Sequence, residues 1–169
     1  MGRLAQTLGR IISPLVHIML SYEEILDAYE WVSADPSLQN TAYVNRTTGT
    51  VYLETDEIGT DDALPEDIED GTKYIAVPHK HDLDLGKALV FEFVEEYLRD
   101  DLDKVSGYFK RSGAYSKYKD LLERKQLLEE WYAYERQKTF EALCQWASEN
   151  SIPQQFKLGT NDEVGKPIA

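Results

Sequence analysis

The chain is short of several things that would declare a chemistry. It has one cysteine, Cys144, in 169 residues. That excludes an internal disulfide and suits a reducing compartment, where a lone cysteine on a helix reads as a small buried apolar residue. Three histidines leave few candidates for a nucleophile's base. No run reaches the roughly 18–20 continuous apolar residues that a membrane helix needs. No G-x-x-x-x-G-K or G-x-G-x-x-G loop is present to cradle phosphates, and no G-x-S-x-G elbow to present a serine. Basic residues are also scarce, 18 against 31 acids, so the net charge is −13. Such a charge opposes non-specific binding to nucleic acid.

What is present is a globular composition. Eleven tyrosines, five phenylalanines and three tryptophans supply a core and argue against wholesale disorder. The length fits one domain that hides about two thirds of its unfolded surface. Residues 1–18 carry Pro14 and His17 inside their apolar run and read as an extension with little packing, Met19 being an alternative start. Residues 19–152 read as a single globular domain. Residues 153–169, with Pro153, Gly159, Gly165 and Pro167, read as a flexible tail.

Leu20 to Val32 carries a helix-start signature. Ser21 and Glu24 are spaced as a capping box, Leu20 and Ile25 as a hydrophobic staple, and Ile25, Leu26, Tyr29 and Val32 as one apolar stripe. Residues 41–55 predict a β-hairpin turning at Thr47-Thr48-Gly49, and 72–78 a third strand stopped by Pro78. Between them, 54–70 holds nine acids and no base, the pattern of a solvated loop. Helices follow from about 82, with Asp82 as N-cap, then over 101–110, 114–124 and 126–149. Trp131, Trp146 and the upstream rings are expected to close over one shared interior. The order predicts an α+β fold, a small antiparallel sheet packed against a helical C-terminal half.

Several of these segments resemble a bacterial family with no assigned activity, uncharacterised protein family 0158. YEEILDAYE is similar to its opening helix, YVNRTTGTVYL to its hairpin, and YIAVP to its third strand. RSGAYSKYKDLL resembles its glycine–alanine–aromatic segment, and EEWYAYE with CQWASENSI its closing helix. The likeness spans about residues 20–152. It implies an architecture and supplies no reaction, substrate or cofactor.

One segment stands apart in charge. GYFKRSGAYSKYKDLLERK, residues 107–125, carries six bases against two acids, a net +4 that leaves the rest of the chain at −17. Tyr108, Phe109, Tyr115 and Tyr118 are threaded among the cations. Arg111, Tyr115, Lys117, Tyr118, Lys119, Arg124 and Lys125 therefore form the candidate partner-binding face. Cations would hold phosphates or carboxylates and exposed rings would stack, so the partner is a protein or a nucleic acid. The competing reading buries the tyrosines and lets the lysines snorkel around them.

Glu135 lies on the apolar side of the last helix and is expected to form an ion pair with Arg111 or Lys119, since an unpaired buried carboxylate is costly. His79-Lys80-His81-Asp82 places imidazoles beside carboxylates but falls short of the three or four ligands a stable metal site needs, so no metal and no cofactor are expected. The functional expectation is a non-enzymatic cytoplasmic interaction protein. An alternative is a small enzyme with a phosphate or carboxylate site between Arg111, Lys119 and Glu135. A further alternative is an acidic polyanion mimic.

Overall fold

A computed structural model describes residues 19–34, 39–55 and 64–158. The N-terminal extension, residues 56–63 of the acidic segment and the end of the tail lie outside these residues. The fold is α+β. Helix α1 (Tyr22–Val32) precedes strands β1 (Thr41–Asn45), β2 (Val51–Glu54) and β3 (Tyr74–Ala76). Helices α2 (Lys87–Tyr97), α3 (Leu102–Tyr108), α4 (Ala114–Lys125) and α5 (Leu128–Glu149) follow.

The local signals act as their chemistry requires. The Ser21 hydroxyl accepts from the Glu24 N–H at 3.2 Å, and the Glu24 carboxylate accepts from the Ser21 N–H at 2.9 Å, closing the capping box. Leu20 and Ile25, the staple pair, are both fully buried. In the hairpin, Asn45 Oδ1 accepts from the Thr47 and Thr48 N–H groups, and Gly49 takes a φ of +72°. The three strands are antiparallel in the order β2-β1-β3, with Tyr43 opposite both Tyr52 and Ala76. Strand β3 is shorter than its apolar pattern. The Asp70 carboxylate and carbonyl gather the N–H groups of Thr72, Lys73 and Tyr74 into a turn, and this consumes the first residues of the predicted strand.

Three expectations are corrected. First, α2 starts at Lys87 rather than near 82. Asp84 adopts φ +56°, which no helix propagates, and Gly86 stands at the N-cap position. Asp82 caps the preceding turn instead, accepting from the His79 N–H at 2.9 Å. Second, the tail is not free from residue 153 onward. The Leu20 N–H donates to the Pro153 carbonyl at 2.7 Å, the Gln155 N–H returns to the Leu20 carbonyl at 2.9 Å, and Phe156 is buried. Ser151, at φ +55°, ends α5, with the Ile152 N–H returning to the Ala147 carbonyl; Pro153 beyond it keeps its carbonyl as an acceptor, and the Phe156 ring three residues on has a core to enter.

Third, there are two hydrophobic clusters rather than one interior. The first joins α1, β1, Val77, Ile152, Phe156 and the second half of α5, with Phe140, Leu143, Cys144, Trp146 and Ala147 buried. The second joins α2, Leu98, Val105, Tyr118, Leu121, Leu122 and Trp131. In the second, Trp131 meets Phe93 at 5.3 Å and Tyr118 at 5.2 Å, both edge to face. Trp131 and Trp146 therefore serve different clusters. Leu85 packs against both. No helix among the described residues is long and apolar enough to cross a membrane.

Candidate functional site: a basic groove between α3 and α4

The basic segment becomes a helix–turn–helix. Gly113, at φ +74°, turns the chain from α3 into α4. Gln126, at φ +59°, closes α4 in a Schellman motif, its N–H donating to Glu123 and that of Leu127 to Leu122. Within α4 the apolar stripe is Tyr118, Leu121 and Leu122, each at most 1 % exposed. Successive helical residues turn by about 100°, so this stripe divides the cations. Lys117 and Arg124, seven residues apart, fall on one flank. Tyr115 and Lys119, four apart, fall on the other.

The first flank faces α3. There an open groove of about 480 Å³ is lined by Lys104, Gly107, Tyr108, Lys110, Arg111 and Lys117. A Cβ placed on Gly107 would meet nothing within 4 Å, so the groove wall is bare there. Lys104 lies 3.3 Å from an Asp101 carboxylate oxygen, and Lys125 lies 2.9 Å from the other. These two ammoniums hold the Asp101 carboxyl below its ordinary range, Lys125 contributing most. Asp101 thereby ties the start of α3 to the end of α4. Lys110, Arg111, Lys117 and Arg124 are exposed and have no carboxylate within 4.0 Å among the described residues.

The second flank is crowded with aromatic and ionisable groups. Tyr115 is 46 % exposed, packs edge to face on Phe109 at 5.2 Å, and brings its hydroxyl beside Gly86 together with the His81 ring. Lys119 places its ammonium 5.3 Å from the centre of the Tyr132 ring. Glu135 is half-buried among Tyr29, Tyr115, Tyr118, Lys119, Arg136 and Lys80. Burial raises its carboxyl above the ordinary 4.5, against the opposing pull of Lys119, Arg136 and Lys80. Lys80 is itself held at the end of α1, donating from Nζ to the Ser33 carbonyl at 3.1 Å.

The single basic–aromatic face expected from sequence is thus split. Tyr118 is removed from it altogether, because a ring at the centre of the buried stripe has no route to solvent; its hydroxyl is buried with no hydrogen-bond partner. Lys125 is engaged with Asp101. Arg111 and Lys117 stay together in the groove, where they gain Lys104 and Lys110, while Arg124 lies two turns further along the Lys117 flank, outside the groove lining. The ion pair expected for Glu135 does not form. Among the described residues no cation lies within 4.0 Å of it, since Lys119 is drawn over Tyr132 and Arg111 faces the groove on the far flank. Arg111, Lys119 and Glu135 therefore do not converge, as the enzyme reading requires. Lys104 lies outside the charged segment, and only the packing of α3 against α4 recruits it.

Two other candidates resolve plainly. His79 and His81 have ring centres 4.7 Å apart, and His79 Nδ1 accepts from the His81 N–H. Among the described residues no three His, Cys, Asp or Glu side chains are grouped to hold a metal ion. Cys144 is 1 % exposed, and burial pushes its thiol up to about 11, away from nucleophilic reactivity. No family model, no curated protein and no solved structure matches this chain.

Proposed function

We propose that the chain is a non-enzymatic, cytoplasmic interaction protein that docks an anionic partner in the α3–α4 groove. One observation carries this reading: cations from α3, the turn and α4 converge on one groove, three of the four with no carboxylate within 4.0 Å among the described residues, in a chain whose net charge is −13. Like charges held together cost free energy unless a partner compensates them, and neutralising carboxylates are abundant elsewhere in the sequence. The order of the YVNRTTGTVYL, RSGAYSKYKDLL and EEWYAYE segments supports placing the chain with uncharacterised protein family 0158, which brings no activity of its own.

The test is fluorescence anisotropy with labelled anionic probes at low and moderate salt. The triple variant K110E/R111E/K117E is expected to weaken binding by more than tenfold and to flatten its salt dependence. Binding that survives this reversal overturns the assignment of the groove.

A further inference from the structure

Resting on that reading, we infer that the group held in the groove is a phosphate monoester on a protein partner, a phosphorylated side chain, rather than a run of carboxylates or a nucleic-acid backbone. Charge density argues first. Lys104, Lys110, Arg111 and Lys117 line one groove. A single carboxylate brings one negative charge, whereas a phosphomonoester brings about −1.5 to −2 at pH 7 and three strong acceptor oxygens. An arginine fork among lysine point charges suits that tetrahedral, multiply accepting group.

The extent of the patch argues second. Asp120 and Glu123 interrupt Lys117 and Arg124 along α4, and Asp103 stands beside Lys104 on α3, with Asp100 and Asp101 just before it. One dianion is satisfied within this island. The next phosphate of a continuous strand meets carboxylates. Stacking argues third. Single-strand binders lay successive bases on successive rings. Here Tyr118 is buried, Tyr115 is on the opposite flank, and Tyr108 is the one ring lining the groove.

The experiment uses the full chain and four labelled probes: a Gly/Ala/Ser peptide bearing one phosphoserine, the same peptide with glutamate in its place, hexaglutamate, and a twelve-residue oligothymidylate. Inorganic phosphate is the competitor. The phosphoserine peptide is expected to bind about tenfold or more tightly than its glutamate counterpart. Its affinity should fall as pH drops through about 6, where the phosphate takes up its second proton. Arg111→Lys keeps the charge, and is expected to weaken the phosphopeptide about tenfold and hexaglutamate by clearly less, since a phosphate offers the fork three acceptor oxygens and a carboxylate two. Tighter binding of hexaglutamate or of the oligonucleotide overturns the phosphate assignment and leaves anionic docking standing. Displacement by inorganic phosphate at the peptide's own concentration overturns the protein partner. Failure of all four probes, or binding indifferent to K110E/R111E/K117E, overturns both.

Discussion

The sheet-side cluster and the helix-side cluster bury comparable sets of side chains by different means. The sheet-side cluster is closed by ties between distant parts of the chain. Leu20 pairs with residues 153–155, and Arg46 Nη1 donates to the Asn150 carbonyl. The helix-side cluster is drawn from residues 85–134 alone and is closed by ring packing between neighbouring helices. Local contacts form early and at low loop-closure cost, whereas long-range ones wait for both ends. The groove sits on the locally closed side, so its cations are positioned by α3, α4 and Asp101 without help from the chain ends. What joins the two sides is α5, a helix of 22 residues that carries Trp131 into one cluster and Trp146 into the other without interruption.

The sharpest way to break this contrast is to hollow out the helix side. Phe93 is fully buried, meets Trp131 and Tyr134 edge to face and stacks on Tyr97 at 4.5 Å. Phe93→Ala is expected to cost about 3–5 kcal/mol in urea unfolding. Because α5 is continuous, far- and near-ultraviolet circular dichroism should still report one shared transition. Two separated transitions would show instead that α5 does not couple the clusters.

A smaller loss is expected from the sheet side. Gly49 is in the left-handed region, and a Cβ there would stand 2.7 Å from the Leu20 nitrogen, an atom of the backbone tie itself. Gly49→Ala is therefore expected to cost about 1–3 kcal/mol. Hydrogen exchange should accelerate at Leu20 and Gln155 while the amides of α2 and α4 keep their protection. Equal acceleration across both clusters would erase the distinction between local and long-range closure.

Much of this was legible where the code is local. Ser21 and Glu24 announce α1, Thr47-Thr48-Gly49 the hairpin, and the i+3/i+4 stripes all of the later helices. What escaped was set by non-local or angular geometry. Nothing near Phe156 says that the Tyr22 ring is waiting for it. Asp84 adopts a left-handed conformation that propensity does not foretell, and this moves the start of α2. Tyr115 and Tyr118 look alike in sequence, yet three residues on a helix separate a ring at the edge of the stripe from one at its centre. The division between Trp131 and Trp146 was readable in principle: fifteen residues of helix span about 22 Å, too far for one small cluster. The groove was half legible. Its cations on α4 and the turn were evident, but Lys104 joins only through helix packing.

The seam between the two clusters offers the finest test, because Glu135 sits there facing Tyr29 of α1, Lys80 of the 79–86 turn, Tyr115, Tyr118 and Lys119 of α4, and Arg136 beside it. Burial outweighs the three cations and raises its carboxyl in the folded protein. A raised folded-state value means that the native protein binds the proton more tightly than the unfolded chain. Its contribution is then fully present below the unfolded-state value and is lost as pH rises through the folded-state one. Glu135→Gln mimics the protonated form at every pH. It is expected to be slightly more stable than the parent at pH 7, with the difference closing as pH falls toward 4.5 and below. Comparing the two proteins, rather than following one, cancels the opposite slope from Asp67, Asp70, Glu92 and Asp101, whose carboxyls are held low by hydrogen bonds and lysines. Paired urea titrations from pH 4 to pH 8 provide the measurement. A Gln variant that is less stable at neutral pH would mean that Glu135 accepts a direct bond from Lys119 or Lys80, and that the two clusters are joined by an ion pair across α4 and α5 as well as by the helix running through them.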